Sequence, residues 1–256
     1  MKLKQQGVAD LGSVTFYDLK SALYKGWSDM RRAPLYGFVV ASICVAFGFL
    51  LLWVTLATGK SYWLVFAAVG FPLFGPFTAV ALYEVSHRLE YGEPLVFSEI
   101  FGVVLGQARR QLPSLCAIIL MVFLFWFFLA HMIFALFLGL STMTNVSTSL
   151  DVYLSSDGLT MIAVGTLVGA LFALLLFMIT VFAMPMLLDR EVDFVSAMIA
   201  SFTAVQNNLI LMVFWGAVIA VMTFLAMLPA FFGLYFVLPL FGHASWHLYQ
   251  ASQARA

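Results

Sequence analysis

Long apolar runs alternate with short polar segments along this chain, and their lengths predict membrane-spanning helices. About 20 mainly apolar residues are needed to cross a bilayer as an α-helix. Six runs meet that length, at residues 36–57, 61–83, 113–139, 160–188, 209–227 and 230–249. The fourth run is long enough to require a strong tilt or to extend beyond the hydrocarbon core. The pattern predicts an all-α membrane protein with six transmembrane helices arranged as three hairpins.

A shorter amphipathic segment precedes the first predicted hairpin. Its apolar residues recur at spacings of three and four: Phe16, Leu19, Leu23, Trp27 and Met30. Charged side chains take the other face: Asp18, Lys20, Lys25, Asp29 and Arg31. Thr15, followed three residues later by Asp18, has the form of a capping box. We expect this segment to be an interfacial helix on the cytoplasmic side.

Similar segments precede the second and third hairpins. The second opens at Glu93-Pro94 and carries an apolar stripe of Phe97, Ile100, Phe101, Val104, Leu105 and Ala108. The third has Asp193 as a candidate cap, followed by Val195, Met198, Ile199, Phe202 and Val205. Each predicted hairpin therefore has its own amphipathic cytoplasmic interfacial helix.

This order indicates a threefold organisation. We predict a cytoplasmic tail at 1–14 and one transmembrane domain at 15–250, with repeats at 15–92, 93–191 and 192–250. The alternative is that any six-helix protein with interfacial connectors would show the same pattern.

The basic residues set the predicted orientation. Eleven of the 12 Lys and Arg residues lie in the N-terminal segment, the C-terminus or the loops on the same side, and Lys60 alone lies opposite. The 140–159 loop has Asp151 and Asp157 but no basic residue. Because cytoplasmic loops carry the excess of Lys and Arg, both termini are predicted to be cytoplasmic. The first 33 residues lack the apolar core of a cleavable signal, so we expect the N-terminus to be retained.

Composition excludes several classes of protein. Apolar residues make up 64% of the 256 residues, charged residues only 9%, and the formal net charge is zero. Such a chain cannot cover a soluble fold with polar surface, which excludes a soluble enzyme and a disordered chain. The zero net charge lacks the excess of basic residues that is typical of proteins that bind nucleic acid. Cys44 and Cys116 lie in apolar runs and are predicted to be buried packing residues.

The amphipathic segments suggest contact with lipid headgroups. A helix with an apolar stripe and a basic face lies in the headgroup region, where Lys and Arg attract anionic lipid. One interpretation is lipid sensing or a docking platform. The other is a collar that shields the cytoplasmic end of the bundle.

Few ionisable residues lie in or near the predicted spans, and these are the candidates for chemistry. His243 and His247 stand four residues apart on one helical face, a spacing that could hold a metal or haem, or simply serve hydrogen bonding. His131 is predicted nearer the other leaflet. Glu84 and Asp189 could gate a proton or solute path, or could be helix-end residues paired with Arg88 and Arg190. Nucleotide-binding and hydrolase motifs are absent from the sequence.

Three stretches carry a resemblance to a known family: GPFTAVALYEVSHRLEYGEP (75–94), MPMLLDREVDFVSAMIASFTAVQNN (184–208) and LPLFGHASWHLYQ (238–250). In this order they resemble the bacterial integral-membrane family catalogued as domain of unknown function 2189. The matching positions are Tyr83, Glu84, Ser86, Arg88, Glu90, Asp189, Arg190, His243, Trp246 and His247. The resemblance implies a multi-spanning protein of the bacterial inner membrane and brings no established activity or catalytic residue. Some members are labelled cytochrome c oxidase subunits, although four histidines are few for a haem–copper centre.

The favoured interpretation is a non-enzymatic accessory or scaffold subunit of the inner membrane, without a cofactor. Its expected partners are the lipid bilayer, anionic headgroups at the cytoplasmic face, and a membrane-protein partner or a second copy, with no nucleic acid. Two alternatives stay open: a small-solute transporter or channel, and a haem- or oxidase-associated subunit that uses His243 and His247.

Overall fold

The computed structural model describes residues 5–59, 65–139 and 151–255, with the side chains at 65–69, 71, 72 and 74 excepted. Its helices are α1 (Phe16–Arg32), α2 (Pro34–Thr58), α3 (Val65–Tyr91), α4 (Phe97–Gln107), α5 (Leu112–Leu138), α6 (Asp151–Leu154), α7 (Ser156–Thr180), α8 (Ala183–Asp189), α9 (Phe194–Asn207), α10 (Leu209–Met227) and α11 (Leu234–Gln253). Two short strands, β1 (Gln5–Gln6) and β2 (Arg190–Glu191), pair in parallel. This pairing ties part of the predicted N-terminal tail to the end of α8.

Helices lie where the apolar runs predicted them. The first run becomes α2, which begins at Pro34 because the first turn of a helix does not need the missing N–H. It ends at Gly59, whose φ of 64° is the left-handed conformation that glycine adopts readily. The predicted start of the second run at 61–64, Lys60, and positions 140–150 lie outside the described residues.

Four helical segments among the described residues are long and apolar enough to cross a membrane. They are Pro34–Thr58, Leu112–Leu138, Ser156–Asp189 and Leu209–Met227. The other two predicted spans correspond to α3 and α11. The side chains of the first part of α3 lie outside the described set, and the second half of α11 carries polar residues, His243 and His247 among them.

The long fourth run is interrupted between α7 and α8. Pro185 has no N–H to offer the carbonyl four residues earlier, so the helix cannot continue regularly through Val181. Ser201 of α9 occupies the break: its hydroxyl donates to Met178 O at 2.7 Å and accepts from Phe182 N at 3.1 Å. The serine thereby satisfies backbone groups that the break would leave unpaired. The sequence predicts a tilted or over-long span here, and the structure adds an interruption within that run.

Helix α11 lies at the centre of the packing. It contacts α1, α2, α3, α8 and α10, and its contact with α1 is the most extensive of these. Trp215 of α10 packs edge-on against Phe241 of α11, with ring centroids 5.5 Å apart. The first and last helices, α1 and α11, therefore pack against each other.

One part of the prediction for α1 is wrong, because Asp18 and Asp29, which were assigned to its polar face, are buried. The capping box is confirmed, since Thr15 N donates to the Asp18 carboxylate at 2.7 Å. The face that α1 buries combines Leu19 of the predicted apolar stripe with two acidic residues, Asp18 and Asp29, and two small ones, Ala22 and Gly26. Phe16 of the predicted apolar stripe is 62% exposed. Small side chains let two helix backbones approach closely, and this contact outweighed the larger apolar side chains in setting the rotation of α1.

The second and third predicted amphipathic segments form helices α4 and α9, in which Ile100 and Val205 of the predicted stripes are buried. Helix α4 packs on α3, with Ile100 fully buried, although it begins at Phe97 and not at Glu93-Pro94. Helix α9 packs on α7 and α8. Its predicted cap is confirmed, because the Asp193 carboxylate accepts from Ser196 N at 2.9 Å. Hydrogen bonds with the side chain and the backbone N–H of Ser196 lower the pKa of Asp193.

Changing Gly26 to alanine is expected to destabilise the protein by about 1–3 kcal/mol through overpacking. A Cβ at Gly26 would lie 2.8 Å from Ala244 N and 2.9 Å from Leu240 O, both in the backbone of α11. The two helices would have to separate. Thermal unfolding in detergent, followed by circular dichroism, measures the effect. In the matched control Gly102→Ala, the new Cβ meets no atom within 4 Å, so equal stability of the two variants would contradict this prediction.

Candidate functional site

The residues singled out by the sequence gather at one end of the bundle. We call this group the polar cluster, together with the partners that the structure adds to it. Its members are Asp29 of α1, Glu84, Ser86, Arg88 and Glu90 of α3, Glu99 of α4, Asp189 and Arg190 at the end of α8, and His243, Trp246, His247 and Tyr249 of α11. Asp29, Glu99 and Tyr249 were not among the predicted site residues.

Ser86 and His243 join α3 to α11. The Ser86 hydroxyl lies 2.8 Å from His243 Nδ1, and both side chains are fully buried. Ser86 also lies beside the carboxylate of Asp29, so it connects this contact to the next one. The other imidazole nitrogen, His243 Nε2, is buried without a hydrogen-bond partner among the described residues.

Asp29 and His247 join α1 to α11. Their Oδ2 and Nε2 atoms are 2.6 Å apart, and the residues are 5% and 6% exposed. Burial alone would raise the pKa of Asp29, but the hydrogen bond from His247 and the charge on that ring lower it below its usual value. The sequence placed Asp29 on the polar face of α1. The small residues Ala22 and Gly26, one turn apart and preceding it, were the available signal for a closely packed face.

Arg88 organises the turn between α3 and α4. Its Nε donates to Glu84 at 2.7 Å, and its Nη1 donates to Glu99 at 2.6 Å and to Pro94 O at 2.9 Å. The guanidinium group therefore has three acceptors, while its side chain and that of Glu84 are about nine-tenths buried. The predicted pairing of Glu84 with Arg88 is confirmed. Glu99 was missed because its contact depends on how α4 folds back onto α3.

Two further contacts connect α11 to its neighbours. Trp246 Nε1 donates to Glu90 at 3.1 Å, and Tyr249 OH donates to Asp189 at 2.9 Å. Arg190 lies 3.8 Å from Asp189 and donates to Gln253 at 3.0 Å. Both predicted acidic helix ends are thus held by partners within the chain.

Tyr83 is buried but faces a different part of the molecule. Its hydroxyl lies beside Ser245 on α11, and the residue lines a cavity between helices. His131 is also separate from the polar cluster. It lies on α5, where its Nδ1 is 2.8 Å from Phe127 O in its own helix.

Changing Tyr249 to phenylalanine is expected to cost about 1.5–3 kcal/mol, the usual contribution of a hydrogen bond to a charged group. The variant keeps the ring but removes the donor to Asp189. The midpoint of thermal unfolding in detergent measures the loss. The control is Tyr17→Phe, at a residue that is 72% exposed, and a Tyr249→Phe variant as stable as this control would count against the contact.

The contacts of His243 and His247 are hydrogen bonds within the chain and, among the described residues, do not form a ligand-binding site of recognisable type. His243 and His247 stand on one face but direct their bonded nitrogens at different partners, Ser86 and Asp29. Within the described part of the chain, no three His, Cys, Asp or Glu side chains come together in a way that could hold a metal ion. The buried serine and histidines have no open path to a substrate, because the ring of His243 and the hydroxyl of Ser86 are fully enclosed.

Comparison with known proteins gives a family match. Residues 64–189 match the model of a family described as a predicted integral membrane protein, domain of unknown function 2189. This segment contains the first of the three stretches that carried the resemblance and the start of the second, while the third lies beyond it. No curated protein and no solved structure matches the chain. Over residues 64–189, just under half of its length, the chain is similar to this family of predicted integral membrane proteins.

Proposed function

We propose that the protein is a six-span subunit of the bacterial inner membrane that acts as a non-enzymatic accessory or scaffold. The observation that carries this proposal is the bonding of the polar cluster. Its charged side chains contact one another across α1, α3, α4, α8 and α11, which fixes the helices in place. A site built for turnover would instead present polar groups to a substrate.

The lengths of α3 and α11 support six spans. Helix α3 has 27 residues and α11 has 20, which correspond to about 40 Å and 30 Å at 1.5 Å per residue. The hydrocarbon core of a bilayer is about 30 Å thick. Polar groups in α11 are compatible with a span because α1 and α3 shield them from lipid and supply hydrogen-bond partners.

The surface of α1 supports an interfacial position at the cytoplasmic face. Four basic side chains of this helix are exposed: Lys20, Lys25, Arg31 and Arg32. Exposed aromatic residues accompany them, among them Phe16, Tyr17 and Trp27. A helix with this composition can insert its aromatic side chains among acyl chains while its cations meet anionic headgroups. With the bias of Lys and Arg along the sequence, this favours cytoplasmic termini.

The transporter alternative has less support from the contacts. Glu84 and Asp189 were the candidates for a gate, and they are held by Arg88 and Tyr249 respectively. A carboxylate that releases and binds a solute must exchange its partners. The haem alternative also has less support, because His243 is fully buried and His247 is 6% exposed, so a haem could not reach either ring without displacing the helices packed around them.

Purification in a mild detergent at native expression levels tests the proposal. With an affinity tag on the N-terminus, we expect a stoichiometric membrane-protein partner or a homo-oligomer of fixed size, as measured by native mass spectrometry. Cells that carry the untagged chain give the background. Reproducible recovery of a monomer without a stoichiometric partner would contradict the proposal.

A further inference from the structure

A cavity of about 310 Å³ lies between α2, α3, α10 and α11, away from the hydrogen bonds of the polar cluster. One end is near Tyr83 and Ser245, and the other is near Gly48 and Phe231. Along α3 the cavity extends from Gly75 to Tyr83, a rise of about 12 Å. It is therefore elongated along the helices and lies within the length that spans the bilayer.

The lining is apolar with a few neutral polar groups. Most of its wall consists of aliphatic and aromatic side chains, and no charged residue lines it among those that the structure describes. The neutral groups are the side chains of Cys44, Thr78, Tyr83, Thr223 and Ser245. A cavity of this kind does not favour an ion or a charged solute, because such a ligand would lose its hydration without gaining a counter-charge.

The helix packing leaves one side of the cavity loosely closed. Helices α2 and α3 pack on each other and on α11, whereas α10 packs on α11 and has no extensive contact with α2 or α3 in the described ranges. The gap beside α10 faces the surroundings of the bundle, which for a membrane protein are acyl chains. At the far end, Phe231 closes the cavity beside Gly48 and packs edge-on against Phe49.

The turn that carries Phe231 is strained. Ala230 and Phe231 have φ angles of 48° and 65°, in the left-handed region that residues with a Cβ avoid. The backbone bond from Phe231 N to Met227 O, 3.0 Å long, holds the turn in place. This turn carries the phenyl ring of Phe231 that lies beside Gly48 in the cavity wall.

We propose that this cavity binds the hydrocarbon chain of a membrane lipid, which enters beside α10 and lies along α3 and α11. Apolar cavities stay dry, so water is not the expected occupant. An acyl chain has no hydrophobic advantage in moving from the bilayer to an apolar pocket. A chain that fills the cavity does, however, give the atoms of its wall dispersion contacts that they lack when the cavity is empty. The neutral hydroxyls give the occupant a place for an ester or hydroxyl group without demanding a charge.

Photo-cross-linking in vesicles tests this proposal. The probe is phosphatidylcholine with a photoactivatable diazirine on one acyl chain, and cross-linked residues are mapped by mass spectrometry. We expect enrichment at cavity residues of α10 and α11, such as Thr223 and Val237, relative to lipid-facing residues of α5. Cross-links spread evenly over the apolar surface would overturn the proposal.

A cavity-filling variant makes the test specific. Gly75 lines the cavity, and a Cβ there would meet no atom within 4 Å, so Gly75→Leu should occupy the space and abolish the enriched cross-links. Gly165 on α7 also has no atom within 4 Å of a Cβ but does not line the cavity, so Gly165→Leu should leave them unchanged. If Gly75→Leu does not fold, as judged by circular dichroism, Ala79→Leu replaces it. Retention of the cross-links in a folded filling variant would overturn the proposal.

Discussion

Changing Asp29 to alanine is expected to lower the free energy of unfolding by about 3 kcal/mol, the lower end of what breaking a buried ion pair costs. The variant leaves His247 buried without its partner and removes the main polar link between α1 and α11. Denaturant or thermal unfolding in detergent measures the loss. Limited proteolysis adds a local readout, because α1 should become accessible before the remaining helices.

Two control variants distinguish the effect of breaking the Asp29–His247 contact from the general effect of removing an acidic residue. Asp10→Ala removes an exposed carboxylate and should leave the stability unchanged. The double variant Asp29→Leu/His247→Leu should recover much of the stability, since an apolar pair can replace a buried ion pair. A single variant Asp29→Ala that is as stable as Asp10→Ala would contradict the account.

The pH dependence of the same variant has a defined sign. The pKa of Asp29 is lowered below 3.8 in the folded protein, so its stabilising contribution is present above that pH. The contribution is lost as the pH falls through the folded pKa. The part of the stability difference between the wild type and Asp29→Ala that depends on protonation of Asp29 should therefore be lost at strongly acidic pH.

Changing Arg88 to methionine is expected to cost a comparable amount, about 3–5 kcal/mol. Methionine keeps much of the apolar stem, but it leaves the buried carboxylate of Glu84 unpaired and releases Glu99 and Pro94 O. Unfolding in detergent measures the cost.

The matched control for Arg88 is Arg32→Met, at an exposed arginine. The double variant Glu84→Gln/Arg88→Met should be more stable than Arg88→Met alone, because the unpaired charge is gone. If removing the carboxylate brings no recovery, the Glu84–Arg88 contact does not have the role assigned to it.

The helices could be predicted from the sequence because local patterns specify them. The apolar runs predicted the long helices. The capping pattern of Thr15 and Asp18 predicted where α1 begins, and Asp193 predicted where α9 begins. The break between α7 and α8 was not predicted. Pro185 alone allows either a kink or a break, and the choice depends on Ser201, which approaches from a different helix.

The candidate site was predicted only in part. The resemblance marked residues on α3 and α11, but their partners on other elements were missed. Asp29 was assigned to a polar face because hydrophobic periodicity weighs large apolar side chains and takes no account of the close approach that Gly26 permits. A tertiary contact between residues 29 and 247 leaves no local trace in the sequence.

Membrane topology is the central claim, since the bacterial-inner-membrane proposal and the position of the polar cluster both depend on it. Cysteine labelling with a membrane-impermeant maleimide in spheroplasts tests it, after Cys44 and Cys116 are replaced by alanine. The reporters are Glu93→Cys, Asp157→Cys and Phe232→Cys, at residues that are all exposed. Six spans with cytoplasmic termini predict labelling of Asp157→Cys and Phe232→Cys from outside, and of Glu93→Cys only after permeabilisation. Labelling of Glu93→Cys in intact spheroplasts, or protection of Phe232→Cys, would contradict the account.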